Sequence, residues 1–203
     1  MLTRITLRGK NVLLMIFTVC YTYAIIRYHI GKNLVGWIHI PYVINKAVSW
    51  TAGIFMVLTL IPNERLMCYS ISRRTLGLHG YFLAVIHIVT NVLLLNPDLH
   101  PSFFTDQKIN ASGWIYISFG ATSFILFSLP LYASFKNFPS KDIRYKFGKL
   151  GILLLMLHVA SLGLKNWFFP ETWPMMMPPI TLLFLVFCLV IILLKYLKLQ
   201  AYE

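Results

Sequence analysis

Acidic residues are scarce in this sequence, and charged residues of either sign are few. Six Asp and Glu stand against eighteen Lys and Arg, and only 12% of the 203 residues are charged, whereas 58% are hydrophobic. A soluble domain of this length cannot bury so much apolar surface, because its surface is too large for its volume. The composition therefore predicts a membrane protein whose helices face lipid.

Cysteine clusters and phosphate-binding motifs are also lacking. Cys20, Cys68 and Cys188 lie far apart, so neither a structural disulfide nor a zinc site is expected. No glycine-rich phosphate loop is present, and no segment is left over for a soluble nucleotide-binding domain. The net charge of +12 lies mostly between the apolar runs, which indicates membrane topology and no binding to nucleic acid.

Six apolar runs are long enough to cross a lipid bilayer, which takes about 20 helical residues. They are roughly residues 12–28, 42–61, 76–95, 114–135, 150–169 and 179–197. We therefore predict an all-α fold, a polytopic bundle of six transmembrane helices that forms one domain over residues 1–203. No small-x-small cleavage site follows the first run, so this run is expected to remain as a helix.

The basic residues predict the orientation of these helices. With the N-terminus inside, thirteen of the eighteen Lys and Arg fall on the inner side. These are Arg4, Arg8, Lys10, Arg65, Arg73, Arg74, Lys136, Lys141, Arg144, Lys146, Lys149, Lys195 and Lys198. The outer side holds Arg27, Lys32, Lys46, Lys108 and Lys165. Because cytoplasmic loops carry the excess of basic residues, both termini are predicted to be cytoplasmic.

Two histidines, His87 and His158, lie in the middle of predicted spans. His87 is eleven residues beyond Leu76 and His158 is nine beyond Lys149, or about 17 and 14 Å at 1.5 Å per residue. Both spans run outward, so the imidazoles are expected at nearly one depth, as a bis-histidine haem requires. The alternative is that both histidines only form hydrogen bonds between helices and hold the bundle together.

A short motif precedes the first of these histidines. Residues 73–78 read RRTLGL and lead into the helix that contains Ile86 and His87, and Gly148–Lys149 precedes the fifth span. In these motifs, in length and in its six spans, the chain resembles the ferric reductase-like transmembrane domain superfamily. The likeness is greatest to the haem-binding membrane subunit of the bacterial periplasmic methionine sulfoxide reductase system.

The resemblance implies a function and a set of partners. It implies a multi-pass protein of the bacterial inner membrane, with b-type haem iron bound by His87 and His158. Electrons would come from a cytoplasmic flavin reductase, or from FMN or FAD bound at the cytoplasmic face. They would leave to a periplasmic oxidoreductase, a quinone or a metal ion. The protein would thus be the membrane component of an oxidoreductase.

The sequence departs from the family pattern in one respect that affects the number of haems. Members with two haems carry a second histidine about four turns away on each of the two helices, whereas Arg73 and Tyr145 stand near those positions here. One haem is therefore expected. Arg73 and Arg74 are candidates for binding a flavin phosphate or a haem propionate, although the positive-inside rule accounts for them equally well.

Two other functions stay open. The chain could be a structural or anchoring subunit of a larger membrane complex with no redox role of its own, which the missing second pair of histidines favours. A small-solute transporter is the weaker alternative, because the spans lack acidic residues and only Pro130 and Gly151 suggest interrupted helices.

Overall fold

A computed structural model of the protein describes residues 7–34, 36–37, 39–135 and 141–200. Within those residues the fold is almost entirely helical. The α-helices are α1 (Leu7–Ala24), α2 (His39–Leu58), α3 (Asn63–Met67), α4 (Arg73–Leu93), α5 (Ala111–Phe135), α6 (Lys141–Trp167) and α7 (Ile180–Gln200). A π-helical segment, Ile25–Ile30, continues α1, and 3-10 turns occupy Pro101–Phe103, Pro170–Thr172 and Pro174–Met176. Strands β1 (Phe104–Thr105) and β2 (Lys108–Ile109) pair as a small antiparallel hairpin between α4 and α5.

Five helical stretches are long and apolar enough to cross a membrane. They are Leu7–Ile30, Arg73–Leu93, Ala111–Phe135, Tyr145–Trp167 and Pro174–Lys195. Many of their large apolar side chains lie exposed on the outside of the bundle, as in a protein that is solvated by lipid. The predicted all-α class is confirmed, and the five stretches indicate a multi-pass membrane protein.

The second predicted span corresponds to α2, which is not among those five stretches. This helix lies at the centre of the bundle and packs against α1, α4, α6 and α7. Half of its twenty residues are buried, including the polar Asn45 and Thr51. Because its neighbours cover α2, it does not need the uniformly apolar surface of a lipid-facing helix.

The observed helix bounds differ from the predicted spans mainly at helix starts. The fifth span was predicted from residue 150, whereas α6 begins at Lys141. The difference arises because the basic stretch before Lys149 is helical but not apolar, so hydropathy does not mark its start. Two of the inner basic residues used for the orientation, Arg4 and Lys136, lie outside the described residues.

Hydrogen bonds fix where α4 starts and how α5 lies against α6. Ser72 caps α4, because its Oγ accepts a hydrogen bond from the Thr75 backbone N–H at 3.1 Å. Between α5 and α6, the buried Ser123 Oγ donates to the Gly151 carbonyl at 2.8 Å. This contact fixes the antiparallel register of α5 against α6 and therefore the height at which α6 carries His158.

Candidate functional site

His87 takes part in a ring of three side chains between α2 and α4. Its Nδ1 lies 2.9 Å from Asn45 Oδ1. Asn45 Nδ2 donates to Asn91 Oδ1 at 2.8 Å, and Asn91 Nδ2 lies 3.0 Å from His87 Nε2. With the amides oriented in this way, each polar group in the ring has a partner of the opposite kind. This ring fixes the position of the imidazole inside the helix bundle.

The partners of His87 also determine which of its nitrogens carries the proton. Asn45 Oδ1 can only accept, so His87 Nδ1 carries the hydrogen and donates it. Nε2 is then the nitrogen with the free lone pair. A metal-binding histidine is held in the same way, because the nitrogen that does not bind the metal donates to an oxygen. Asn91 Nδ2 lies 3.0 Å from Nε2 and 3.4 Å from Nδ1, so this amide lies beside the ring and does not block the lone pair that a metal would take.

His158 has the same tautomer but a different partner. Its Nδ1 lies 2.8 Å from the backbone carbonyl oxygen of Tyr116 on α5, which can only accept. Nδ1 therefore carries the hydrogen, and Nε2 has no hydrogen-bond partner among the described residues. This free Nε2 on an oriented ring fits a metal ligand without any rearrangement.

Contacts with α5 place the two histidines at the same level. The ring of Tyr81 on α4 stacks on Phe124, with centroids 4.7 Å apart, and its hydroxyl contacts Ser128 on α5. His87 is six residues further along α4, which corresponds to α5 residues 118–122 because the two helices are antiparallel. The ring of His158 packs against Gly120, within that range. The equal depth predicted from the sequence therefore agrees with the packing.

The helices that carry the histidines are held apart. In the part of the chain that the structure describes, α4 packs mainly on α2, and α6 packs on α5 and α7, whereas α4 and α6 are not among the closely packed pairs. His87 is hydrogen-bonded to Asn45 on α2, and the ring of His158 lies against Tyr116 and Gly120 on α5. Both imidazoles thus belong to one region between α2, α4, α5 and α6.

Arg73 and Arg74 are the first two residues of α4, well before His87 on the same helix. Both side chains are exposed, and Arg73 Nε donates to the Ile61 carbonyl at 2.6 Å. Fourteen residues separate Arg73 from His87, or about 21 Å along the helix at 1.5 Å per residue. The propionates of a haem bound to His87 would be out of reach at this distance. Binding of a flavin phosphate remains the prediction for these two residues.

Sequence reasoning missed three residues that position the histidines. Asn91 is four residues after His87, and this spacing places both on one face of a helix. Asn45 could also have been identified from the sequence, because it is an uncharged polar residue within a span. Gly120 could not, because its role depends on the packing of α5 against α6. By contrast His79, eight residues before His87, is exposed and contacts the Thr75 carbonyl of its own helix.

Gly120 determines how closely the ring of His158 approaches α5. A Cβ at this position would lie 3.1 Å from both Cε1 and Nδ1 of that ring, which is closer than ordinary van der Waals contact. We expect Gly120→Ala to displace the imidazole and to weaken haem binding about tenfold, the lower end of the loss from disturbing the surroundings of a metal ligand. Haem titration of the purified protein measures this affinity.

Gly148→Ala is the matched control for this substitution. Gly148 lies in α6, the helix of His158, and a Cβ there would have no neighbour within 4 Å. We expect its haem affinity to equal that of the unmodified protein. Equal affinities in both alanine variants would contradict the role that we assign to Gly120.

His100, in the loop after α4, is a buried titratable group. It is 9% exposed, its ring lies 5.6 Å from that of Tyr42, and its Nε2 has no partner among the described residues. Burial, and then the positive charge of Lys46, lower the pKa of His100 to about 4. The histidine is therefore neutral at pH 7 in the folded protein.

Acid should destabilise the protein through His100. His100 takes up a proton near pH 6.5 in the unfolded chain and only near pH 4 in the folded protein. Stability is therefore lost as the pH falls between these two values. The loss is at most about 3 kcal/mol. We expect His100→Gln to flatten this part of the profile of melting temperature against pH. His29→Gln, at an exposed position, is the control, and equal slopes in both variants would contradict the prediction.

Comparison with known proteins identifies no family for this chain. No protein-family model matches the chain, and no curated protein matches it. The resemblance to the ferric reductase-like superfamily therefore remains a prediction from the quoted motifs, and functional inference depends on the geometry of the histidine site.

Proposed function

We propose that the protein is a haem-b electron carrier of the membrane and that His87 and His158 are the axial ligands of one haem. The observation that supports this proposal best is the matched pair of imidazoles. They lie at one level on two helices that are not packed together, and Nδ1 of each contacts an oxygen acceptor on a neighbouring helix. A bis-histidine haem needs this arrangement of its ligands.

The scarcity of other ligands favours haem over a bare metal ion. Among the described residues, no group of three or more His, Cys, Asp and Glu side chains could hold a metal. Zinc takes three or four protein ligands, and a bare iron or copper ion has similar needs. Haem brings four nitrogen ligands of its own, so that two histidines are enough.

The surrounding residues orient the two ligands. Asn45 holds His87 through Nδ1, and the Tyr116 carbonyl holds His158 in the same way. Both bonds make the imidazole a stronger donor at Nε2 and keep the ring from rotating. Asn91 Nδ2 contacts the ring of His87 from the side and its Oδ1 bonds to Asn45. Haem b, when bound, supplies a one-electron couple between the ferric and ferrous states of iron.

The direction of transfer follows from the predicted topology. Six spans with both termini in the cytoplasm of a bacterium would put Arg73 and Arg74 at the inner face. The donor would be a cytoplasmic flavin reductase, or FMN or FAD held near those arginines. The acceptor would be a periplasmic oxidoreductase, a quinone or a metal ion. Each reduced flavin gives up two electrons, which would pass singly through one haem.

A structural or anchoring subunit without a redox role is the second candidate. The ring of Asn45, His87 and Asn91 favours it, because all three side chains have hydrogen-bond partners without any cofactor. His158 argues against it, because a purely structural histidine within a membrane helix would be expected to use both ring nitrogens.

Electron transfer across proteoliposomes tests the proposed function. Vesicles that contain the haem-loaded protein and enclosed ferricyanide are given a membrane-impermeant reduced flavin outside. We expect ferricyanide to be reduced faster than in protein-free vesicles, and the Ser49→Ala variant to keep this rate, since Ser49 Oγ bonds only the Lys46 carbonyl of its own helix. Haem-loaded protein that gives the rate of empty vesicles would support the structural subunit instead.

A further inference from the structure

A group of basic residues lies at the end of the bundle where α1 ends and α2 begins. Tyr28 is their common neighbour, since Arg27 Cζ and Lys32 Nζ lie 5.5 and 5.6 Å from the centroid of its ring. Lys46 Nζ lies 4.7 Å from the ring centroid of Tyr42 and interacts electrostatically with Tyr28 and Lys32. Three basic side chains and two phenols therefore converge at one place, which we call the basic cluster.

The basic cluster has no acidic partner among the described residues. The charges that act on Tyr28, Lys32 and Lys46 come from basic residues and tyrosines. Burial lowers the pKa of the Lys32 ammonium, which lies beyond the end of the first candidate span. Buried charges without a counterion are costly, so proteins generally pair them. An anion from outside the chain would provide the missing partner.

Arg27 points to a ligand independently of this charge balance. Arg27 is only 4% exposed, and its guanidinium donates a hydrogen bond through Nη1 to the carbonyl oxygen of Met177. Its Nε is buried and has no hydrogen-bond partner among the described residues. A buried guanidinium N–H without an acceptor is rare, because its desolvation is not compensated.

The backbone at Arg27 is also unusual. Residues Ile25–Ile30 form a π-helix, in which Arg27 and Tyr28 are both buried. Such segments are rare and occur frequently at functional sites. The irregular turn thus lies where the first span carries the buried guanidinium of Arg27.

We propose that the basic cluster, Arg27, Lys32 and Lys46 with Tyr28 and Tyr42, binds a phosphate group. A guanidinium and two ammonium groups match the charge of a phosphate better than that of a single carboxylate, and the phenol hydroxyls can donate to its oxygens. The phosphate would come from the headgroup of an anionic lipid or from free phosphate in solution. Binding of a phosphate group goes beyond the proposed electron transfer, and its test uses protein without added haem, although Lys46 directly follows Asn45 of the histidine site.

A thermal-shift titration of delipidated protein in detergent tests this site. The probes are inorganic phosphate and short-chain phosphatidylglycerol, each compared with chloride at equal ionic strength. We expect at least one phosphate probe to raise the melting temperature, with an affinity at least tenfold weaker in Lys46→Met and Lys32→Met. A response to inorganic phosphate identifies free phosphate as a ligand, and a response to the lipid alone identifies a lipid headgroup.

Lys108→Met provides the control for net charge. Lys108 is exposed in the hairpin of β1 and β2 and lies outside the basic cluster, so its variant should bind the probes as the unmodified protein does. The two cluster variants make the test robust, because one remains if the other does not fold. Equal shifts with chloride and phosphate, or equal affinities in all three variants, would overturn the proposal.

Discussion

Replacement of His158 by alanine is expected to reduce bound haem by at least tenfold. Nδ1 of His158 is held by the Tyr116 carbonyl and its Nε2 is free, so this ring is already oriented as a metal ligand. Without it the iron would keep one protein ligand, and a b-type haem has no covalent bond to hold it in place. The haem content of purified protein, from the pyridine haemochrome spectrum, measures this loss.

His79→Ala is the matched control for that substitution, because His79 is exposed on α4 and bonded only within its own helix. Chemical rescue separates ligation from folding. In His158→Gly, added imidazole should occupy the vacated space and restore the low-spin spectrum. If His158→Ala keeps its haem, or if His79→Ala loses haem to the same extent, His158 is not the ligand.

Effects of different size are expected from the two asparagines that contact His87. Asn45→Leu removes the acceptor that fixes the tautomer of the ring, and the loss of such a partner typically costs 10- to 100-fold in metal affinity. Asn91→Ala removes an amide that contacts the ring beside the Nε2 lone pair and also bonds to Asn45. The acceptor for Nδ1 remains in this variant, so haem affinity should fall by less than in Asn45→Leu.

The difference in size makes this pair of variants informative. If the ring of Asn45, His87 and Asn91 only stabilises the helix bundle, both substitutions should lower the melting temperature and their haem affinities should be alike. Haem titration together with melting temperature distinguishes the cases for each variant. An equal loss of haem affinity in the two variants would contradict the role that we assign to Asn45 as the acceptor for Nδ1.

Much of the fold could be predicted from the sequence, because lipid-facing helices are marked by their composition. The apolar runs located each of the long helices, although Lys141 as the start of α6 was not visible in hydropathy. The central position of α2 was not predictable, since a polar residue such as Asn45 does not show which neighbours will cover it. The π-helical segment at Arg27 likewise has no sequence signal that we can identify.

The candidate site was predictable in its residues but not in its chemistry. Counting residues from the inner ends of the spans gave similar depths for His87 and His158, and helix packing agrees. The tautomers of the two histidines could not be predicted from the sequence. The partner of His158 is the backbone carbonyl of Tyr116, and this contact depends on the register of α5 against α6. That register depends on packing details such as the Ser123–Gly151 hydrogen bond.

The reduced-minus-oxidised visible spectrum of the detergent-purified protein, recorded after incubation with haem, tests the central claim most directly. We predict the sharp α and Soret bands of a low-spin b-type haem at one haem per chain, and their loss in both His87→Ala and His158→Ala. A spectrum with no such bands in the unmodified protein would contradict the account, and the two histidines would then be interpreted as structural residues of the bundle.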